Sequence, residues 1–375
     1  MADETHPEPD RAEGTPHPRE TMRVHGHARA RATLLDALRS GRMHHAWLFA
    51  GPPGIGKATL AYAFARALLA EAPSGGLLDA PPPTLDLSPD HPVARRVAAL
   101  SEPRLLLLRR AWDDQAKRLK TVITVDETRR LSSFFHLSAT DGGRRVVIVD
   151  PADEMNESAA NALLKLLEEP PSGAVLILIS HAPSRLLPTI RSRCRELRLF
   201  PLAPDDLDAA VTDAGLPDAG NAAALAELAQ GSVGEAARLL ADDGLELYAE
   251  IAALIAGAPE LDRPRALRLA DAAAARGADA RRALTVRLMH LALARLARHG
   301  AGAPPAAEAA PDEARMLARL SPDPDAARAW ADLHATLTAR SGHALAVNID
   351  PASVVLDMVL RIDETAASLT KAPAP

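Results

Sequence analysis

The chain has 375 residues, 47% of them hydrophobic and 25% charged, with a net charge of −6, values that exclude a wholly disordered or fibrous chain and call for more than one domain. Its single cysteine, Cys194, excludes an internal disulfide and a four-thiolate zinc site and suits a reducing, cytoplasmic setting. No run reaches the roughly 18 to 20 apolar residues of a membrane span, and the N-terminus lacks the basic-then-apolar pattern of an export signal, so no membrane partner is expected.

Residues 1–21 hold four prolines and scattered charge without apolar periodicity, and six acids against Arg11 and Arg19 in the first twenty give −4, so they read as a disordered tail. The remainder, at −2, has no global attraction for nucleic acid. Apolar spacing predicts a helix within His25 to Ser40, a strand at Ala46 to Ala50 and, after a glycine-rich turn, a helix from Lys57 to Ala70. Prolines and glycines interrupt residues 73–92, which read as a surface excursion that contributes little to the core. Strand and helix then alternate: Leu105 to Leu108, Glu127 to Leu137, Val146 to Val149, Glu157 to Leu167 and Val175 to Ile179. That alternation predicts a parallel sheet between helix layers. From Pro204 onward the composition turns to Ala, Leu and Arg. A small helical unit is expected over 204–243, a larger helical domain over 246–366 and a flexible end over 367–375.

Gly51-Pro52-Pro53-Gly54-Ile55-Gly56-Lys57 lies between a strand and a helix, the context of a phosphate-binding loop. Gly51, Gly54 and Gly56 let backbone N–H groups converge, and Lys57 adds charge at a helix N-terminus. The position after the lysine normally gives a hydroxyl to Mg²⁺; here it is Ala58, and Thr59 is rotated by about 100° along the helix. Asp150 ends the strand Val146 to Val149, as a nucleotide site requires, but the next residue is Pro151 and not a water-activating glutamate. Losing a general base is worth about 10²- to 10⁴-fold in rate. Asp153 and Glu154 lie past the proline and read as solvated acids at a helix start. The site is therefore expected to hold ATP weakly or not at all.

His44-His45-Ala46-Trp47-Leu48-Phe49, Asn161-Ala162-Leu163-Leu164-Lys165-Leu166-Leu167-Glu168-Glu169-Pro170-Pro171 and Thr189-Ile190-Arg191-Ser192-Arg193-Cys194 give the chain its resemblance to the clamp-loader branch of the AAA+ ATPases, over roughly residues 22–240. The resemblance implies an AAA+ P-loop α/β domain at 22–203, a helical lid at 204–243 and an all-α collar at 246–366. It also implies a pentamer with motor subunits of gamma/tau type and a delta-type subunit, acting on a sliding clamp and primed DNA. Arg193 occupies the position of an arginine finger supplied in trans, and Ser180 that of a polar sensor. Gly234 stands where motor subunits carry a phosphate-sensing arginine. Some family members bear a four-cysteine zinc module in the region of 71–110; without cysteine there, no zinc is expected, and no other metal site is foreseen.

The competing readings are an active AAA+ motor, either a gamma/tau-type loader subunit or a branch-migration helicase, and a small-molecule kinase using the same loop. Ala58 and Pro151 weigh against the first, and the collar-like helices against the second. His44, His45 and Cys194 read as structural, Lys165, Glu168 and Glu169 as helix residues, and the arginine pairs at 95–96, 109–110, 129–130 and 144–145 as solvated surface.

Overall fold

The computed structural model describes residues 7–70, 85–136, 143–346 and 349–371, which divide into two compact units. The first comprises residues up to Leu216 together with Gly231–Gly234; the second comprises Pro217–Gln230 and everything from Glu235 onward.

The first unit begins with α1 (Ala28–Arg39), β1 (Ala46–Ala50), α2 (Lys57–Ala70), α3 (Pro92–Ala98) and β2 (Leu105–Leu108). A short antiparallel hairpin, β3 (Trp112–Asp113) and β4 (Arg118–Leu119), leads to α4 (Val125–His136), β5 (Arg145–Val149) and α5 (Glu157–Glu168). Then come β6 (Ala174–Ser180), α6 (Pro188–Arg191), β7 (Arg195–Arg198) and α7 (Pro204–Asp213). Five strands form one parallel sheet in the order β2-β5-β6-β1-β7. The expected parallel P-loop sheet is present.

Alternation along the strands explains why both faces are covered. Trp47, Phe49, Val146, Ile148, Val175 and Ile177 point to one side and pack with Leu34 and Leu38 of α1, Leu60, Phe64 and Leu68 of α2, and Val97 of α3. Leu48, Val147, Val149, Leu176 and Leu178 point to the other and pack with Leu131 of α4 and Leu163 and Leu167 of α5. The central strands are apolar throughout because neither face meets water. β7 escapes prediction for the opposite reason: it is an edge strand, Arg-Glu-Leu-Arg, with only Leu197 buried.

Three expectations need correction. Residues 7–21 are not a disordered tail: Thr15 and His17 are buried, and the segment packs on the sheet domain. The excursion at 73–92 does reach the core, for Leu85 is fully buried and Leu87 packs beside it; residues 71–84 lie outside the described residues. The C-terminal end is helical as far as Lys371 and not flexible from 367; residues 372–375 lie outside the description.

The second unit is helical, with α8 (Ala222–Ala229), α10 (Gly244–Ile255), α11 (Arg263–Ala274), α12 (Asp279–Gly300), α13 (Glu313–Leu320), α14 (Pro324–Ala346) and α15 (Pro351–Lys371); α9 (Val233–Ala241) begins at the unit boundary. Residues 204–243, expected as a lid, are thus shared between the units, α7 falling in the first and α8 in the second. α12 is the central helix, with α10, α11, α13, α14 and α15 against it. Its Arg295 is buried, and its Nε lies 2.7 Å from Glu313 Oε1. That arginine also donates to Glu227 at 2.7 Å and to the Ala307 carbonyl at 2.9 Å, while the Tyr248 hydroxyl donates to Glu313. Among the described residues no helix is long and apolar enough to cross a membrane.

Candidate functional site

The phosphate loop leaves the carboxyl end of β1, Asp150 follows β5 directly, and Ser180 ends β6. Ligands of parallel α/β sheets bind outside the carboxyl ends of the strands, so these residues share the expected edge. Close approach explains the glycines. A Cβ on Gly51 would lie 2.4 Å from the Leu199 carbonyl oxygen, and Gly54, at φ +74°, would place one 2.2 Å from Ser232 Oγ. The Gly234 amide donates to the Gly54 carbonyl at 3.3 Å, which holds the turn Gly231–Gly234 against the loop.

Lys57 is buried, and its ammonium is turned back onto the loop: it donates to the Gly51 carbonyl at 2.7 Å and also to that of Pro52. Burial pulls its pKa down to about 8, against the opposing charges of Asp150 and Asp153. The Ile55 carbonyl lies 2.7 Å from His27 Nε2, whose pKa burial holds below the ordinary histidine value. His27 went unrecognised in the sequence because nothing marks a histidine that folds over a loop 28 positions away.

Asp150 is buried at the end of β5, and burial pushes its carboxyl from 3.8 up to about 8, with the negative charge of Asp10 adding to the rise and Lys57 opposing it. The carboxyl titrates above its unfolded value, so its favourable contribution is complete below about pH 4 and is lost as pH rises toward 8. Lys57, with a lowered pKa, works in the other direction, but only above about pH 8. Asp150→Asn is therefore expected to gain stability over the parent between pH 5 and 7.5, by up to about 1.4 kcal/mol per pH unit. Urea midpoints across that range check it; a constant difference between the two proteins would disprove it.

Asp153 is not the solvated acid expected from the sequence. It accepts a hydrogen bond from the Ser180 hydroxyl at 2.6 Å and from the backbone amides of His181 and Ala182, the latter at 3.2 Å. These bonds join the turn after β5 to the turn after β6, and the Ser180 hydroxyl and this carboxylate are taken up by each other. Glu154 pairs with Arg110 at 2.7 Å. The Ala58 side chain has no oxygen to offer a cation, and Asp153 and Glu154 are both engaged by other side chains.

Arg193 follows α6 at a different place on the domain. Its Nη1 donates to the Thr189 carbonyl at 3.0 Å and its Nη2 lies 2.8 Å from Glu168 Oε1. The arginine is 35% exposed and the glutamate 50%. Cys194 beside it packs against the α5 side of the core, and burial pushes its thiol up to about 12, unsuited to nucleophilic chemistry. His44 and His45 stack at 4.6 Å; the Ala46 amide donates to His44 Nδ1, and His45 Nε2 lies 3.2 Å from the Leu167 carbonyl. Both are structural. Among the described residues no group of three or more His, Cys, Asp or Glu could hold a metal ion.

Residues 26–203 match the family described as DNA polymerase III, delta subunit. Over 215 residues the chain is 37% identical to DNA polymerase III subunit delta' of Pseudomonas aeruginosa, covering 57% of this chain and 53% of that one. The delta' subunit of Escherichia coli is 36% identical over 180 residues, 48% of each chain. DNA polymerase III subunit gamma/tau of Mycobacterium bovis is 34% identical over 181 residues, 48% of this chain and 28% of that one. The chain thus spans about half the length of the delta-prime relatives it matches.

Proposed function

We propose that this chain is a delta-prime-type subunit of the DNA polymerase III clamp loader, working in the cytoplasm, without ATP turnover of its own. One pairing carries the reading: the Ser192-Arg193-Cys194 string is complete, while the phosphate-loop edge lacks a metal-ligating side-chain oxygen at Ala58 and an acid at Pro151. In this role the chain presents Arg193 to ATP held by a neighbouring gamma/tau-type motor subunit, and stands with a delta-type subunit in the ring that places a sliding clamp on primed DNA. It thereby serves a DNA-directed DNA polymerase holoenzyme without catalysing a step alone.

Guanidinium suits the task because it is charged at every physiological pH and offers a planar fork to phosphate oxygens. Its ion pair with Glu168 is half-exposed, so opening it on assembly costs at most about 1 kcal/mol. The test is co-purification of the full chain with gamma/tau-type and delta-type subunits. A stable complex is expected; a chain that stays monomeric beside them would end the proposal.

The similarity to gamma/tau subunits favours a second reading, an active motor. Steady Mg²⁺-dependent ATP hydrolysis by the isolated chain, abolished by Lys57→Ala, would establish it. The proposed function expects no turnover above background.

A further inference from the structure

Residues 7–21 contain neither strand nor helix, yet the side chains of Asp10 and His17 are fully buried. Their surroundings lie at the nucleotide edge of the sheet. Arg109 emerges just past the carboxyl end of β2, next to β5 and Asp150 in the sheet order. Its Nη1 and Nη2 each donate to Glu8 Oε1 at 3.1 Å, and Nη1 also pairs with Asp10. Glu8 meets a second arginine, Arg19, at 2.6 Å, and His17 Nε2 lies 3.2 Å from Asp10 Oδ2. Burial would raise both carboxyls, but Arg19, His17 and Arg109 hold Glu8 low, and His17 and Arg109 hold Asp10 low, so both carry charge.

The segment is anchored to the helix that follows the phosphate loop. The His17 ring meets Tyr62 of α2 edge-on at 5.8 Å, and buried Arg66 of α2 donates to the carbonyls of Arg19 at 3.1 Å and Thr21 at 2.9 Å. The segment also reaches the loop itself. A Cβ placed on Gly234 would lie 3.4 Å from Ala12 Cβ and 3.4 Å from Gly54 Cα. Ala12 and Gly54 are therefore both neighbours of Gly234, and the negative charge of Asp10 adds to the rise of the Asp150 carboxyl.

We propose that residues 8–17 are an intramolecular ligand of this chain's own phosphate-loop edge, an acidic strap that excludes a nucleotide polyphosphate while it is docked. The physical reason is competition for the same ground. Two ionised carboxylates at the carboxyl edge of β2 and β5 repel a polyphosphate arriving there and already engage Arg109, a cation that follows β2 at that edge. The inference rests on the reading of Gly51 to Lys57 as a phosphate cradle and is independent of Arg193.

The test measures binding of a fluorescent ATP analogue, with and without Mg²⁺, to the full chain, to the full chain carrying Glu8→Gln and Asp10→Asn, and to a chain lacking residues 1–17. Relative to the parent, at least tenfold tighter binding is expected for the isosteric double variant and the truncated chain, lost on adding Lys57→Ala. A synthetic peptide of residues 7–18 should reverse the gain in the truncated chain, and a scrambled peptide should not. Should the truncated chain fail to fold, the isosteric variant alone decides. Equal binding by parent and variants, or no binding by a variant whose melting curve shows it folded, overturns the strap. Hydrolysis is read separately: turnover by any of these proteins bears on the proposed function and not on the competition.

Discussion

Replacing Arg193 with alanine is expected, on the proposed function, to lower clamp- and DNA-stimulated ATP hydrolysis in the reconstituted complex, by about 10³-fold or more at the site that Arg193 is proposed to complete. The magnitude follows from what a finger does. It places a full positive charge against the oxygens that gain charge as the terminal phosphoryl leaves, in a site from which water is excluded. The loss must come without unfolding, and it should: the residue is 35% exposed, and its ion pair with Glu168 belongs to a class worth at most about 1 kcal/mol. Arg193→Lys should rescue little, because a lysine offers a point charge where the arginine offers a fork. Arg191→Ala, two residues away at the end of α6, supplies the control for general loss of surface charge. Steady-state hydrolysis with clamp and primed DNA reads the effect, and an unchanged rate for Arg193→Ala removes the finger assignment.

The largest expected effect on stability lies in the helical unit, where Arg295→Ala should cost about 3–5 kcal/mol. Truncation leaves Glu313, whose side chain is 1% exposed, as a buried charge without its counterion. Replacement of the pair as a whole is a different matter, since two apolar residues of matching volume carry no desolvation penalty. Arg295→Met with Glu313→Leu is therefore expected to recover much of the loss. The recovery stays partial, because Tyr248 and Glu227 each lose a partner as well. Denaturant midpoints of the two variants check both statements. A drop below about 1 kcal/mol for Arg295→Ala would show that water reaches the pair.

Much of the sheet domain is legible in the sequence. β1, α2 and β2 fall where apolar runs and the glycine loop put them, because a strand covered on both faces must be apolar at every position and a helix after a phosphate loop must start at its lysine. The misses share a cause. β7 is an edge strand whose charged residues face solvent, so it carries no strand-like apolar run. Leu85 sits among prolines and looks like loop, but it has folded back into the core. Asp153 reads as one more acid at a helix start until the turn after β6 is brought beside it.

What the phosphate-loop region lacks belongs to the first kind of knowledge. The Ala58 side chain has no oxygen and that of Pro151 no carboxylate in any conformation, so composition and order alone settle that those groups are missing. Which charges meet is knowledge of the second kind. Glu8 and Arg109 are 101 positions apart, and no periodicity or spacing records that one will neutralise the other. A run of prolines and acids looks the same whether water or an arginine receives it. Only when the sheet brings the end of β2 beside the start of the chain does an apparent tail become a buried, charge-paired segment, since the pairing energy depends on distance in space and not along the chain.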